Sequence, residues 1–167
     1  HGKDGIRYAT GIRNAVPLDW NRATGGLFAL QHGRDQLDQF WPDLFTAEQN
    51  AELPAEEFLE IQQGDDFGWP YCYYDPLQSK KVLAPEYGGK GQETGRCAGF
   101  KGPIVAFPAH MGPNAVLFYT GNAFPEKYRN GAFVAFHVSW NRGPLEQKGY
   151  YVVFVPFRGG KVSGDWE

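Results

Sequence analysis

Short apolar runs, each closed by Gly, Pro or Asn, are the feature that most constrains how this chain can fold. They occupy residues 6–10, 26–31, 58–61, 104–107, 116–120, 132–136 and 150–157. Runs of this length, rich in aromatic and β-branched residues and bounded by turn residues, are typical of strands. Only residues 47–60 have a helical pattern, and Pro54 interrupts it. The sequence therefore predicts an all-β fold: a sandwich, barrel or propeller.

Composition limits the domain organisation and the class of partner. The chain has 167 residues, 16% of them aromatic, which predicts a single domain, residues 1–167, with a packed core. Residues 32–54 and 73–103 are predicted to form long loops. A net charge of −3 without a basic cluster argues against nucleic-acid binding. No apolar run approaches the roughly 20 residues that span a membrane.

The two cysteines, Cys72 and Cys97, lie in sequence rich in Gly and Pro. They are compatible with a disulfide in an exported protein, or with two free thiols. Neither cysteine has a His or Cys at the spacing of a metal site.

The octet 137–144, His-Val-Ser-Trp-Asn-Arg-Gly-Pro, follows an apolar run and combines polar groups with rings. It is either a ligand site at the rim of a β scaffold or a hairpin loop with one buried Trp. Residues 11–14, 31–35 and 107–110 are similar polar clusters next to other runs. If these clusters converge on one face, their Arg and Asn side chains suit a planar anionic ligand.

Two of these residues could have a purely structural role instead of binding a ligand. Arg13 could pair with a surface carboxylate, and His110 could be a hydrogen-bonded structural residue. The carboxylates of Asp35, Asp38 and Asp43 do not have the spacing of an EF-hand loop.

Six strings, in this order, resemble the pyrroloquinoline-quinone (PQQ) dependent glucose/sorbosone dehydrogenase family, and in particular its sorbosone-dehydrogenase-like branch. The strings are Gly-Ile-Arg-Asn at 11–14, Gln-His-Gly-Arg-Asp at 31–35, Gly-Asp-Asp-Phe-Gly-Trp-Pro-Tyr-Cys at 64–72, Phe-Pro-Ala-His at 107–110, Phe-Tyr-Thr-Gly at 118–121, and residues 131–142. The resemblance implies a six-bladed β-propeller, of which this chain covers about two to three blades, with PQQ on the axis beside a calcium ion.

The resemblance also implies roles for individual residues. Arg13 and Asn14 would face cofactor and substrate, and His32 would approach the quinone. The backbone carbonyls of Gly33 and Arg34 would ligate calcium. The remaining implied cofactor contacts are Phe107 and His110, which would wall the pocket, and Asn141 and Arg142.

In that family the catalytic base, a His, lies upstream of the Gly-x-Arg-Asn motif, so the base is not expected within this chain. Arg13 is the candidate that would polarise the substrate or cofactor. The implied reaction is oxidation of a sugar hydroxyl or aldehyde by PQQ, with a cytochrome c or a quinone as electron acceptor. The implied compartment is the periplasm or the exterior, and the rest of the propeller or another chain would complete the site. A non-redox propeller, such as a calcium-dependent lactonase or a carbohydrate-binding scaffold, is the alternative.

Overall fold

The computed structural model describes residues 4–167, so His1 lies outside the described residues. Its main elements are two antiparallel sheets. The first sheet has the spatial order β1 (Ala15–Asn21), β2 (Gly26–Gln31), β3 (Glu56–Ile61) and β6 (Val105–Phe107). The second has the order β7 (Pro113–Phe118), β8 (Ala132–Phe136) and β9 (Val152–Val155).

The strands β1 and β7 lie side by side, so that the two sheets are arranged as neighbouring blades of a propeller. The Asp19 carboxylate of β1 accepts a hydrogen bond from the Phe118 N–H of β7 at 2.8 Å. Beyond β9, Glu167 exchanges two backbone hydrogen bonds with Phe154. The predicted all-β propeller fold, present as a part of the whole, is confirmed.

Aromatic packing between the sheets forms the largest hydrophobic core. Phe28 and Phe58 of the first sheet meet Phe118 of the second, with the Phe28 and Phe118 ring centroids 4.7 Å apart. In β8, Val134 and Phe136 face this core while Phe133 faces the other way, as the two-residue period of a strand requires.

The predicted strands at 26–31 and 132–136 are confirmed as β2 and β8. The predicted strand 6–10 is wrong, since only Thr10 makes an isolated bridge, to Asp66. The chain instead forms β1 immediately afterwards, at the edge of its sheet, where a strand tolerates Pro17. A turn at residues 23–25 joins β1 to β2, and its Gly25 has φ of +72°, which favours glycine.

The stretches predicted as long loops contain regular structure. Residues 32–54 include two short helices, α1 (Leu37–Phe40) and α2 (Ala47–Glu52). Helix α2 begins with a capping box between Thr46 and Gln49 and ends before Pro54. Residues 73–103 include most of the hairpin β4 (Cys72–Asp75) and β5 (Lys80–Leu83) and the 3₁₀ turns Pro85–Tyr87 and Gly95–Gly99.

The remaining short elements are the hairpin β10 (Phe157–Arg158) and β11 (Lys161–Val162) and the 3₁₀ turns Glu126–Tyr128 and Trp140–Arg142. Cys72 and Cys97 form a disulfide. Within residues 4–167, no helix has the length and apolar character to cross a membrane.

Candidate functional site

A cavity of about 200 Å³ lies where the ends of several strands from both sheets converge. Its lining comes from residues before β1, after β2, at the start of β3, before β7 and after β8. Five of the predicted cofactor-binding residues line it together with Gly33; the five are Arg13, Asn14, His32, His110 and Asn141. Five further side chains line the cavity without having been predicted individually as ligand contacts: Asp35, Glu56, His137, Ser139 and Trp140.

Arg13 supplies the positive charge of the cavity. Its Nη1 donates to the Gly33 carbonyl at 2.8 Å, and its Nη2 lies 3.4 Å from the Asp35 carboxylate. The guanidinium lies 5.6 Å from the ring centroid of Trp69, which holds it by a cation–π contact. The side chain remains 27% exposed, so it is still accessible to a ligand.

Asn141 is buried beside this ion pair. Its Nδ2 donates to the Asp35 carboxylate and to the Ser139 hydroxyl. Its Oδ1 is buried and has no hydrogen-bond partner among residues 4–167. A buried acceptor without a partner costs free energy, so this oxygen favours a ligand that carries a donor.

Two histidines of the cavity are held by backbone carbonyls. His32 Nε2 lies 2.8 Å from the Pro113 carbonyl, and His110 Nε2 lies 2.8 Å from the Asn50 carbonyl. Because a carbonyl can only accept, both Nε2 atoms carry the proton. Burial lowers the pKa of both imidazoles, so their neutral forms are favoured. His110 Nδ1 is 3.6 Å from the Asp35 carboxylate.

Glu56 forms the floor of the cavity. Its Oε2 accepts from the Gly33 N–H at 3.0 Å, and its Oε1 accepts from the Gly112 N–H at 3.2 Å. The carboxyl therefore links the segment after β2 to the segment before β7. Burial raises the pKa of Glu56 to about 7, although both hydrogen bonds act in the opposite direction.

The pKa of Glu56 predicts a pH dependence of stability. Its ordinary pKa is 4.5 and its folded value about 7, so the folded state binds the proton more tightly. The free energy of unfolding should fall as pH rises from about 4.5 to about 7, by about 3 kcal/mol from this group, and then level off. Glu56→Gln should lose that component, measured by urea unfolding between pH 5 and 8.

The control for this measurement is Glu126→Gln, at an exposed carboxylate remote from the cavity. It should keep the slope of the wild type. An identical slope in Glu56→Gln and wild type would show that Glu56 is ionised in the folded protein across this range.

Two predicted cofactor contacts lie elsewhere. The Phe107 ring is fully buried in the core, 5.0 Å from the Phe136 ring, and does not line the cavity. Arg142 is 1% exposed, and its guanidinium binds the Ala51 and Ala109 carbonyls. These positions do not support contact of either side chain with a cofactor.

The predicted calcium ligands are the backbone carbonyls of Gly33 and Arg34, and the positive charge of Arg13 lies beside the first of them. The Gly33 carbonyl already accepts the Arg13 guanidinium, whose positive charge opposes a cation at the same oxygen. The Arg34 side chain turns away to an ion pair with Glu86 at 2.7 Å and stacks on Trp41. Among residues 4–167, no three His, Cys, Asp or Glu side chains are gathered as a metal site.

The fold and the cavity define a part of a β-propeller with a polar site at its strand ends. Residues 1–165 match the TrAA12-like family, and the chain belongs to that family. It is 25% identical over 142 residues to a pyrroloquinoline quinone-dependent sugar dehydrogenase of Hypocrea jecorina, covering 77% of this chain and 31% of that protein. It is 29% identical over 134 residues to an uncharacterized protein of Borreliella burgdorferi, covering 80% of this chain and 30% of that one.

Solved structures share the fold. The calcium structure of a Trichoderma reesei carbohydrate-active enzyme of family AA12 superposes with a TM-score of 0.71 at 22% identity, covering 93% of this chain and 40% of that one. The holo form of the pyranose dehydrogenase PQQ domain from Coprinopsis cinerea gives 0.62 at 22% identity, covering 95% and 39%. The chain thus spans about a third of the curated relatives and about two fifths of these structures.

Proposed function

We propose that this chain forms part of the PQQ site of a sugar dehydrogenase that oxidises a hydroxyl or aldehyde of an aldose, of the glucose or sorbosone type. The observation that carries the proposal is the pairing of an accessible guanidinium, Arg13, with an unpartnered buried acceptor, Asn141 Oδ1, in one cavity. The relative named a PQQ-dependent sugar dehydrogenase and the PQQ-domain structure support it.

The donor and acceptor set of the cavity suits PQQ, a planar molecule with three carboxylates, two quinone oxygens and one pyrrole N–H. Arg13 and Asn14 would hold its acidic groups, and Asn141 Oδ1 would accept from its N–H. His32 and His110 would present neutral imidazole edges, which do not add charge to the site. When bound, PQQ supplies the two-electron acceptor for the sugar.

Calcium fits these residues less well than PQQ does. A calcium ion at the Gly33 and Arg34 carbonyls would require the Arg13 guanidinium to leave Gly33 O. The metal assignment therefore stays a prediction, and the chemistry of this chain's own residues is binding and orienting the cofactor.

The wider setting of the activity is part of the same proposal. The base that removes the sugar proton, the sugar pocket and the contact with a cytochrome c or quinone acceptor would come from the remaining blades or from another chain. The Cys72–Cys97 disulfide favours an oxidising compartment, the periplasm or the exterior.

Direct titration with PQQ tests the proposal. The protein should bind PQQ saturably, followed by quinone absorbance, with and without calcium. Arg13→Met should weaken binding by about 10- to 100-fold, because a hydrogen bond to a charged group contributes about 1.5–3 kcal/mol.

The matched control is Arg22→Met, at an exposed arginine beyond the opposite end of β1. It should bind PQQ as the wild type does. Absence of saturable binding in the wild type, together with calcium-dependent lactone hydrolysis or sugar binding, would replace the proposal with a non-redox propeller.

A further inference from the structure

A buried chain of polar side chains runs from the hairpin β4–β5 to the backbone of Arg13. The Lys81 ammonium lies 2.9 Å from Glu57 Oε2, and the two side chains are 4% and 6% exposed. Glu57 Oε1 accepts from Gln31 Nε2 at 3.0 Å. Gln31 Oε1 in turn accepts from the Arg13 backbone N–H at 2.8 Å.

The donor and acceptor chemistry of these groups determines the direction of each hydrogen bond between them. The Arg13 N–H needs an acceptor, so the Gln31 amide must turn its oxygen toward Arg13 and its NH₂ toward Glu57. Both oxygens of Glu57 then accept, which suits the ionised carboxylate. Burial raises the pKa of Glu57, and the Lys81 ammonium counteracts this. Lys81 therefore favours the ionised form of Glu57, in which both oxygens are acceptors.

These hydrogen-bonded side chains supply an acceptor for the Arg13 N–H that the backbone of the sheet does not provide. Arg13 precedes β1, and the β1–β2 pairing is irregular between Ala15 and Leu18. The Arg13 N–H is consequently bonded to a side chain of β2 and not to its backbone. The Gln31 amide thus holds the Arg13 backbone between two backbone hydrogen bonds, Trp69 N–H to Gly11 O and His32 N–H to Asn14 O.

We propose that Lys81, Glu57 and Gln31 are positioning residues that hold Arg13 in the orientation required for ligand binding. Hairpin β4–β5 is thereby a support of the site, although it does not line the cavity. The proposal rests on the proposed function only in taking PQQ as the ligand. None of the three side chains lines the cavity, so they would act through Arg13.

Amide hydrogen exchange at Arg13, measured without ligand, tests the positioning role independently of PQQ. Gln31→Met removes the acceptor of the Arg13 N–H and leaves the Lys81–Glu57 ion pair intact, so this variant should fold. We expect exchange at the Arg13 amide to rise about tenfold, the effect of losing one typical hydrogen bond. The Val134 amide of β8 should keep its protection and reports on global unfolding.

Lys81→Met, at the side chain of this group that lies farthest from Arg13, should produce the same rise in exchange of the Arg13 amide. Gln31→Glu should also raise it, because two carboxylates then face each other. In the double variant Gln31→Glu/Glu57→Gln, the carboxylate at 31 accepts from the Arg13 N–H and from the amide at 57, whose oxygen accepts from Lys81. Every donor then has an acceptor, so this variant should recover wild-type exchange at Arg13 and wild-type PQQ affinity. Lys127→Met, which breaks the exposed ion pair with Glu167, should change neither.

The outcomes separate this proposal from the proposed function. If wild-type protein does not bind PQQ but the exchange pattern and its rescue appear, the positioning role stands and the PQQ assignment fails. If wild-type protein binds PQQ and Lys81→Met leaves Arg13 exchange and PQQ affinity unchanged, the positioning role is overturned. Failure of the double variant to recover either property also overturns it. Lys81→Met could unfold, and the double variant keeps the buried Lys81 and so decides the question.

Discussion

Replacing Arg142 with Met is expected to lower the free energy of unfolding by about 3–5 kcal/mol, because each buried acceptor that loses its partner costs about 1–3 kcal/mol. The guanidinium donates to the Ala51 carbonyl at 3.0 Å and to the Ala109 carbonyl at 3.1 Å. It also donates to Glu52 at 2.7 Å and to the Glu146 carbonyl at 2.9 Å. Met fills similar space but leaves all four acceptors without this donor.

Urea unfolding of Arg142→Met measures this cost. Arg142→Lys should recover only part of it, because an ammonium cannot reproduce the planar fork that spans these acceptors. Arg22→Met, at an exposed arginine, should stay within about 0.5 kcal/mol of the wild type. A variant as stable as the wild type that has lost only PQQ affinity would restore Arg142 to its predicted role as a cofactor contact.

The convergence of the polar clusters could be predicted because it depends on local signals. Gly, Pro and Asn bound the strands, and antiparallel strands that follow one another return their ends to the same face. If the clusters converge on one face of a β scaffold, Arg13, His32 and Asn141 share a site, and all three line the cavity although the predicted strand 6–10 is absent.

The direction of individual side chains could not be predicted in the same way. Phe107 and Arg142 stand in sequence beside cavity residues, yet both point into the protein. A polar Arg next to Asn141 favoured a ligand contact, and only the carbonyls brought close by α2 explain its burial. Strand β1 has no clear signal in the sequence because Pro17 and Asp19 interrupt its apolar residues. As an edge strand it leaves Leu18 and Trp20 exposed.

The acidic pair Glu56 and Glu57 shows the same limitation most clearly. In the sequence it suggests a turn of helix or the approach to the strand predicted at 58–61. In the structure both side chains are buried, because their partners come from distant segments: the Gly112 N–H for Glu56 and the Lys81 ammonium for Glu57. No local pattern identifies partners separated by 56 and 24 residues.

Removal of the disulfide is the second change expected to have a large effect. Cys72 begins β4 and Cys97 lies in the 3₁₀ turn Gly95–Gly99, so the bond closes a loop that contains hairpin β4–β5. With a sequence separation of 25, the loss of chain constraint in the unfolded state corresponds to about 3–4 kcal/mol. Cys72→Ala/Cys97→Ala should lower the free energy of unfolding by that amount, measured in urea.

Wild-type protein treated with reductant is the matched control, because it keeps both sulfur atoms in the core while opening the loop. It should reproduce most of the loss, which separates chain constraint from the packing of two buried side chains. Since Lys81 lies within the closed loop, exchange at the Arg13 amide should rise in both samples. A loss below about 1 kcal/mol would mean that the buried Lys81–Glu57 pair and the packing of Tyr73 and Val82 hold the hairpin without the covalent bond.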